Sequence, residues 1–440
     1  MRRRDVLAGM LGVASVPVLG GASATAAATT ATTAAVRPPT HGHGRQVRTG
    51  FETLAAAGFR ELRGQRVGMI SNPTGVLRDL THEVDVLANH PDVDIVAVFG
   101  PEHGFRGVSQ AGQGEDFFID AKTGLPVYNA YNDAARMTDQ FAAAGIDTVV
   151  FDIQDVGARF YTYIWTMYLA MEAAAELGLR FVVLDRPNPI TGVQAEGPVL
   201  HPENSTFVGL KPISQQHGMT VGELAQYFNG EFLPPAIGKQ VDLTVVPMRN
   251  WFRDMWFDET GLPWVLPSPN MPTVDTAIVY PGTALFEATA LSEGRGTTRP
   301  FELIGAPGID HRWAEALNAR NLPGVRFREA YFTPTISKQA NKVCGGVQVY
   351  VEDREAFDAI TTGLAMIVTQ RQEFPEYGWR SQDGPSYWLD KLTGTDRARL
   401  VIDAGGDVDE IVAGWQDDLA EFRKKRKKYL IYHQMRGRRP

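Results

Sequence analysis

The alternation of short β-rich segments with helical segments, which begins at Arg66, most constrains the fold of this chain. The β-rich segments are largely apolar, which is typical of strands buried on both faces of a sheet. Strands of this kind that alternate with helices predict an α/β fold with a mostly parallel sheet and helices on both faces. The predicted strands are residues 66–70, 93–99, 125–128, 148–153, 181–184 and 243–246, and the predicted helices are residues 79–89, 134–144, 160–177 and 220–232.

The pattern changes after Pro272. A glycine-rich stretch at residues 291–298 is followed by mixed helical and β-rich segments, which predict a smaller α+β domain. The predicted strands here are residues 277–280, 325–332 and 346–351, and the predicted helices are residues 311–318, 354–371 and 408–428. We therefore expect an export signal and flexible leader at residues 1–44, a first domain at residues 45–275 and an auxiliary domain at residues 276–440.

The first residues have the features of an export signal. Arg3 and Arg4 precede an apolar run at residues 6–19, and residues 22–24 (Ala-Ser-Ala) suit signal peptidase. The paired arginines resemble a twin-arginine signal. The run is shorter than the ~20 residues that span a bilayer, so an uncleaved membrane anchor is the weaker alternative. We expect an exported, extracellular or cell-wall-associated protein without stable membrane insertion after processing.

Charge and cysteine content exclude several classes of partner and chemistry. The formal net charge is −8 and the pI about 5.7, whereas a nucleic-acid-binding protein needs a basic face. Cys344 is the single cysteine among the 440 residues, so no internal disulfide can form. Because Cys344 lies in a β-rich run, we expect it to be a buried small hydrophobic residue. Composition does not specify an oligomeric state.

Polar clusters follow four predicted strands of the sheet. They occupy residues 71–75, 100–107, 152–159 and 185–189. The carboxyl ends of parallel strands meet at one edge of the sheet, where ligands bind in open α/β folds. One such cluster would be an ordinary capped turn, but four predict a functional edge. The chain has no Gly-x-Ser-x-Gly elbow and no Walker loop, so the usual signs of an α/β-hydrolase or a nucleotide enzyme are missing.

Glu102 is the strongest candidate for a catalytic residue. It follows an apolar strand, and Gly104 and Gly107 let the backbone bend closely around it. A carboxyl group partly removed from water at a sheet edge is suited to general acid catalysis, with helix capping or loop bracing as the alternative. The neighbouring His103 could be an acid/base partner, bind a sugar hydroxyl, bind a metal or be structural.

A metal site at this edge is a second hypothesis. Asp152 and Asp155 could join His103 as ligands, but the chain has no His-x-x-His pair, cysteine cluster or calcium-loop spacing. Asp155 could equally order its own loop by accepting hydrogen bonds from backbone amides. We therefore expect no metal and no other cofactor.

Arginines and aromatic residues also concentrate near this edge. Arginine grips a carboxylate with two parallel hydrogen bonds, so several arginines at one edge indicate an anionic substrate, although each could brace a loop instead. Tyr161 and Tyr163 could reach a sugar ring, with a place in the core as the alternative for the aromatic residues of this segment. The four arginines are Arg106, Arg159, Arg186 and Arg295. The tryptophans of a proline-rich loop could form a saccharide-stacking wall or simply cover the sheet edge; they are Trp251, Trp256 and Trp264.

In these motifs the chain resembles the exo-β-N-acetylmuramidase family called NamZ, formerly known as YbbC-like proteins. The resemblance extends from about residue 45 to the C-terminus. It implies a Rossmann-like catalytic domain, a smaller C-terminal domain that closes the active-site cleft, and release of N-acetylmuramic acid from the non-reducing ends of peptidoglycan fragments. It also implies that Glu102 is the catalytic acid. The motifs are residues 71–75, 100–107, 152–163, 185–189, 267–273 and 280–301.

The expected site combines these residues. Catalysis is assigned to Glu102, His103 and Asp152; the group acting at the anomeric carbon is Asp152, the N-acetyl group of the substrate itself or, as a weaker rival, Glu293. The lactyl carboxylate of muramic acid would explain the arginines. The expected substrate-binding residues are Asn72, Arg106, Gln154, Arg159, Tyr161, Arg186, Asn188, Asn270, Glu293 and Arg295.

Two other functions stay open at this point. One is a metal-dependent hydrolase that uses His103, Asp152 and Asp155. The other is a non-catalytic cell-wall-binding protein, for which Glu102 would be dispensable. The basic run at residues 423–428 is typical of a helix end, although attraction to an anionic wall polymer would need the same residues.

We expect the mature protein to begin between about Thr25 and Ala35, because signal peptidase cleaves after the small residues that follow the apolar run. N-terminal sequencing of the protein recovered from the expressing bacterium measures this position. Protein that keeps Met1 and stays in the cytosol would contradict the prediction.

Overall fold

A seven-stranded sheet organises the first half of the protein. The structure is a computed structural model that describes residues 46–380 and 387–435. Its strands, in chain order, are β1 (Arg66–Ser71), β2 (Asp94–Gly100), β3 (Phe118–Ile119), β4 (Pro126–Asn129), β5 (Thr148–Asp152), β6 (Arg180–Leu184), β7 (Glu196–Val199), β8 (Ser214–Gln216), β9 (Asp242–Val246), β10 (Leu303–Ala306), β11 (Val325–Phe332) and β12 (Cys344–Val351). The order in the large sheet is β3-β4-β2-β1-β5-β6-β9, and β3 is the only antiparallel strand among these. This sheet confirms the predicted fold class.

Helices lie between the strands. In chain order they are α1 (Gly50–Ala56), α2 (Glu83–Ala88), α3 (Ala134–Ala144), α4 (Tyr163–Leu177), α5 (Val221–Tyr227), α6 (Leu233–Ile237), α7 (Val274–Thr283), α8 (His311–Ala319), α9 (Ala359–Glu373), α10 (Trp388–Thr393), α11 (Arg397–Asp403), α12 (Val408–Ala413) and α13 (Gln416–Arg426). Helices α1 and α2 cover one face of the large sheet, while α3 and α4 cover the other.

The two faces of the sheet bury two different cores. In β5, Val149 and Phe151 pack with residues of α3 and α4, whereas Val150 packs with residues of α1 and α2. Successive side chains of a strand point to opposite faces, so a strand covered on both sides must be apolar at every position. This requirement explains the unbroken apolar runs in the sequence and moves the polar residues to the strand ends.

The strand order reverses between β1 and β5. From β1 the chain continues to β2 on one side of the sheet, and the later strand β5 pairs with β1 on the other side. Ligands in open α/β sheets bind beyond the carboxyl ends of the strands at such a reversal. The segments that follow β1, β2 and β5 are therefore the ones that the fold presents for binding.

A smaller antiparallel sheet with order β10-β12-β11 lies in the second half of the chain, where α8 packs against it. Helix α9 packs against α7 and α8. The crossing of α7 and α9 is very close: a Cβ atom added to Gly282 would lie 1.7 Å from the carbonyl oxygen of Ala359. Glycine is required here because only backbone fits between the two helices.

One predicted strand is wrong. Residues 277–280 lie inside α7, where the Thr273 side chain caps the first turn by accepting a hydrogen bond from the Thr276 amide at 3.2 Å. The β-branched and aromatic residues of the segment favour a strand locally. Because α7 is almost wholly buried, tertiary packing stabilises the same apolar residues as a helix.

Several predicted helix limits also differ from the structure. The helix predicted at residues 79–89 begins at Glu83, because His82 is its N-cap and Leu80 adopts a left-handed φ of 67°. The helix predicted at residues 408–428 is broken into α12 and α13. The basic run ends α13, as the helix-end interpretation predicted.

The predicted export signal and leader at residues 1–44 lie outside the described residues. The division of the rest at residues 275 and 276 stays a prediction. No helix in the described part of the chain is long and apolar enough to span a membrane. Cys344 is buried in β12, as predicted.

Candidate active site

Five of the predicted site residues line one pocket of about 240 Å³ at the carboxyl edge of the large sheet. We call it the Glu102 pocket. Its walls come from the loops after β2 and β5, from α7, and from segments that follow α7 in the chain. The five residues are Glu102, His103, Tyr161, Asn270 and Arg295.

The Glu102 side chain is held by two hydrogen bonds. The backbone amide of Gly112 donates to Oε1 at 2.6 Å, and the Thr162 hydroxyl lies 2.5 Å from Oε2. A hydroxyl both donates and accepts, so Thr162 can donate to the carboxylate and accept from the carboxylic acid. The side chain is therefore held in place in both protonation states, as an acid catalyst requires.

His103 shapes the loop that carries Glu102. It adopts a left-handed φ of 70°, which is uncommon outside glycine, and Gly104 follows with 82°. The Nδ1 atom lies 3.0 Å from the carbonyl oxygen of Ser109. Because a carbonyl only accepts, Nδ1 carries the hydrogen, and the neutral ring has its lone pair on Nε2. His103 is thus part of the pocket and a brace of its loop.

Aromatic side chains form most of the remaining wall. Tyr280 makes edge contacts with Phe160, Tyr161 and Phe301, with ring centroids 5.4, 5.8 and 4.8 Å away. Trp388 adds an indole from α10. A pocket of apolar rings with a few polar groups is the usual form of a small-ligand site, since the rings supply contact area and the polar groups supply orientation.

A larger cavity of about 620 Å³ adjoins this pocket, which we call the outer cavity. It shares Asn270, Glu287 and Arg295 with the Glu102 pocket, so the two form a continuous cleft. Several cationic side chains lie on its walls: Arg295, Lys338, Lys342 and Arg380.

Arg295 stands between two carboxylates where the pocket and the outer cavity meet. Its Nη2 donates to Glu287 at 2.7 Å, and its Nε lies 3.0 Å from Glu293. These contacts leave Nη1 for a ligand. Glu293 lines only the outer cavity and lies 2.9 Å from the ammonium of Lys338. Burial would raise the pKa of Glu293, but Lys338 and Arg295 lower it. Glu293 is thus the countercharge of two cations.

The structure places two of the predicted site residues, Asp152 and Arg186, outside the Glu102 pocket. The Asp152 carboxylate is fully buried and accepts a hydrogen bond from Arg186. Arg186 also donates to Glu83 at 2.7 Å. The three side chains tie the end of β5 to α2 and to the segment after β6. Since buried charges must be paired, this cluster explains both residues as braces.

One proton completes this buried cluster. Burial and the nearby Asp152 raise the pKa of Glu83 well above its ordinary value, although Arg186 opposes the shift. Oε2 of Glu83 and Oδ2 of Asp152 have no other hydrogen-bond partner. A protonated Glu83 that donates to Asp152 satisfies both atoms and leaves one cation facing one anion.

Arg159 and Arg106 are also braces rather than pocket residues. Arg159 is fully buried and donates to the backbone carbonyls of Pro198, Ile213 and Leu392 at 2.6–3.0 Å. Burial lowers the pKa of Arg159 to about 9. Arg106 donates to the carboxylates of two aspartates instead of facing the pocket; they are Asp85 and Asp120.

Three predicted amide ligands make hydrogen bonds to protein groups outside the pocket. The Asn72 side chain accepts from Thr74, Gln154 donates to two backbone carbonyls, and Asn188 donates to the carbonyl of Met219. All three are buried outside the Glu102 pocket. The tryptophans of the proline-rich loop do not line the pocket either; of these, Trp251 is buried in a small core beside Met248.

The metal hypothesis is not supported by the positions of its three residues. Asp155 accepts hydrogen bonds from the Gly157 amide at 2.7 Å and from His217 at 3.1 Å, which is the loop-ordering role considered for it. Asp152 pairs with Arg186, and His103 bonds to a backbone carbonyl. Within the described ranges, no three His, Cys, Asp or Glu side chains are grouped to hold a metal ion.

Sequence reasoning missed pocket residues that lie outside the polar clusters. Glu287 is in a 3₁₀ helix (Ala284–Ala288) inside the motif at residues 280–301, but it follows no predicted strand of the large sheet. Thr162 lies inside the motif at residues 152–163, directly after the predicted site residue Tyr161. Trp388 reaches the pocket from a helix that no sequence pattern links to β2.

Fold and pocket together define an α/β enzyme whose site combines acid/base side chains with aromatic walls and a cationic entrance. The chain belongs to the exo-β-N-acetylmuramidase NamZ family: the N-terminal part of the family description matches residues 67–275 and the C-terminal part matches residues 278–432.

Relatives and solved structures agree with this membership. The chain is 51% identical over 388 residues to the peptidoglycan β-N-acetylmuramidase NamZ of Bacillus subtilis (strain 168), covering 88% of this chain and 92% of that protein. Two crystal structures of DUF1343 family proteins from Bacteroides fragilis NCTC 9343 are similar. One has a TM-score of 0.80 and 35% identity, covering 88% of this chain and 99% of its own. The other has a TM-score of 0.70 and 33% identity, covering 89% and 100%.

We expect Arg186→Met to lower the free energy of unfolding by roughly 3–5 kcal/mol, because it leaves buried carboxylates without their cation. The pKa of Glu83 should rise further in the variant. Stability that depends on a protonated Glu83 is fully present below the ordinary value of 4.5 and is lost as the pH rises through the raised pKa. The free energy of unfolding that Arg186→Met loses relative to the wild type should therefore be larger at pH 8 than at pH 5.

Urea denaturation followed by tryptophan fluorescence at both pH values measures these deficits. Arg106→Met is the matched control: the Arg106 side chain is 28% exposed against 6% for Arg186, so solvent screens its ion pairs and its deficit should be the smaller of the two. Equal deficits for the two variants would show that Arg186 is not a buried brace.

Proposed function

We propose that this protein is an exo-acting glycoside hydrolase that releases N-acetylmuramic acid from the non-reducing ends of peptidoglycan fragments, with Glu102 as the general acid. The observation that carries the proposal is the position of Glu102 in an aromatic pocket that opens into a cationic cavity, in a member of the NamZ family. The relative from Bacillus subtilis is named for the same activity.

Glu102 supplies the proton that the leaving oxygen needs. Glycoside hydrolysis requires an acid beside the scissile bond, and a carboxyl group held by two hydrogen bonds is already oriented for the transfer. The Thr162 hydroxyl exchanges its donor and acceptor roles as Glu102 loses and regains the proton. No side-chain movement is then needed between the two states.

The dimensions of the cleft support action at a chain end. The Glu102 pocket is small and walled by rings, whereas the outer cavity is more than twice as large. A terminal sugar fits the pocket, and the remainder of the fragment extends into the outer cavity. An enzyme that cut within long chains would need an open groove on both sides of the acid.

Cationic side chains in the cleft support a muramic acid substrate. Muramic acid differs from glucosamine by a lactyl group that ends in a carboxylate. Arg295 lines both parts of the cleft with Nη1 available, and Lys342 adds a second cation on the outer wall. Of the four arginines at the sheet edge, Arg295 is the one that lines the cleft.

Export of the protein belongs to the same proposal. The Arg3-Arg4 pair and the short apolar run support it, since peptidoglycan lies outside the cytoplasmic membrane. The fragments that this enzyme meets are then extracellular.

We expect at least a tenfold higher kcat/KM for a chromogenic β-N-acetylmuraminide than for the matching glucosaminide. A charged hydrogen bond from Arg295 to the lactyl carboxylate contributes roughly 1.5–3 kcal/mol, which corresponds to about tenfold or more. Initial rates on the two substrates measure the ratio. Equal turnover, or no turnover of either, would refute the proposed specificity.

We expect Glu102→Gln to lower kcat on a natural disaccharide by about 10²–10⁴-fold with a nearly unchanged KM, because glutamine keeps the shape but donates no acidic proton. An aryl leaving group of low pKa needs less protonation, so its hydrolysis should fall less. Steady-state kinetics with both substrates measure the difference.

Glu172→Gln is the matched control for this variant. Its carboxylate likewise accepts from a hydroxyl at 2.5 Å, that of Tyr168, but it lies outside the pocket. We expect near wild-type kinetics from the control. A Glu102→Gln enzyme that hydrolyses the disaccharide at the wild-type rate would rule out Glu102 as the acid.

A further inference from the structure

A second carboxylate shares the pocket with Glu102. Glu287 lies in the 3₁₀ helix (Ala284–Ala288) that continues α7, and it lines both the Glu102 pocket and the outer cavity. Most glycoside hydrolases need a group besides the acid, because positive charge develops at the anomeric carbon as the bond breaks. We therefore expect the second catalytic group to be one of those that face this pocket.

Both oxygens of Glu287 are held by donors. Nη2 of Arg295 donates to Oε1 at 2.7 Å, and the indole Nε1 of Trp388 donates to Oε2 at 3.3 Å. Each carboxylate oxygen accepts two hydrogen bonds, so lone pairs remain for a substrate. Burial alone would lower the pKa of Arg295, but the carboxylates of Glu287 and Glu293 raise it above its ordinary value. Arg295 is therefore a permanent cation that pairs with a carboxylate anion.

Tyr280 is a neighbour of both glutamates. Tyr280 lines the pocket with both of them. Burial raises the pKa of Tyr280, and the negative charges of Glu287 and Glu102 raise it further. Both carboxylates therefore lie close enough to Tyr280 to act on its hydroxyl, and all three side chains line the same small pocket.

The contacts of the two rival carboxylates, Asp152 and Glu293, exclude them from the Glu102 pocket. Asp152 is fully buried against Arg186 and does not line the pocket. Glu293 lines only the outer cavity, where Lys338 and Arg295 neutralise it. Among the described residues, Glu102 and Glu287 are the acidic side chains that line the Glu102 pocket.

We propose that Glu287 is the second catalytic carboxylate, which faces the anomeric carbon and stabilises the positive charge that develops there. The inference rests on the proposed glycosidase function. The glycosidic C–O bond breaks, its electron pair moves to the leaving oxygen, and that oxygen takes the proton of Glu102. Water then supplies the hydroxyl group of the anomeric carbon and the proton that restores Glu102. Glu287 carries its negative charge throughout.

The test compares a charge-removing variant with a charge-keeping one. Glu287→Gln should lower kcat by about 10²–10³-fold on both the aryl muraminide and the natural disaccharide, because stabilisation of the anomeric carbon is needed whatever the leaving group. This pattern differs from Glu102→Gln, for which the aryl substrate suffers less. Glu287→Asp keeps the charge and should retain at least tenfold more kcat than the glutamine variant.

Glu196→Gln is a matched control for the loss of an ion pair. Glu196 pairs with Arg423 at 2.6 Å with similar partial exposure, but it lies outside the Glu102 pocket. The midpoint temperature of thermal unfolding should fall by a similar amount in both glutamine variants, whereas Glu196→Gln should keep kcat within about threefold of the wild type. Equal losses of kcat in the two variants would mean that the Glu287 effect is structural, and the inference would fail.

Failure of this inference is distinguishable from failure of the proposed function. If the wild-type enzyme hydrolyses muraminides and the kcat of Glu287→Gln is within tenfold of the wild-type value, the role of Glu287 alone is overturned. The role of Glu287 is also overturned if Glu287→Gln loses less kcat on the aryl substrate than on the disaccharide, as Glu102→Gln is expected to do. A wild-type protein that hydrolyses no muraminide overturns the proposed function and this inference with it.

Discussion

Burial of a parallel sheet on both faces is the constraint on which the rest of this structure depends. The central positions of a strand such as β5 are apolar because both faces are covered, so the charged residues of the first half collect where the strands end. A buried charge at that edge is tolerated only with a partner. The Asp152–Arg186–Glu83 cluster meets this requirement, and it fixes the loops around the pocket by the same contacts.

Arginine has two different uses at this edge, and burial separates them. Arg159 and Arg186 are almost inaccessible, and their donors are directed to carbonyls or carboxylates of the protein itself. Arg295 keeps 19% of its side chain exposed and lies where the Glu102 pocket meets the outer cavity. The braces hold the loops rigid, so the remaining cation can be available to a ligand without a large cost in conformational entropy.

The pocket is assembled from segments that are distant in the sequence. Glu102 follows a strand of the large sheet, Glu287 follows α7, and Trp388 belongs to a helix near the C-terminus. The close crossing of α7 and α9 at Gly282 anchors the segment that carries Glu287. Glu102 and Glu287 are thus positioned by separate packing contacts, so their relative position depends on the folded protein and on no single motif.

The sequence by itself determined the class of fold, the functional edge of the sheet, the family and the place of Glu102. These features depend on local periodicity and on short motifs, which can be read from the order of the residues alone. It could not show that Arg295 lines the Glu102 pocket whereas Arg159 and Asp152 are buried outside it, and it assigned a strand to residues 277–280, which are helical. Only the tertiary structure decided these points, because burial and the partner of each charge depend on residues far away in the chain, and such partners leave no local pattern.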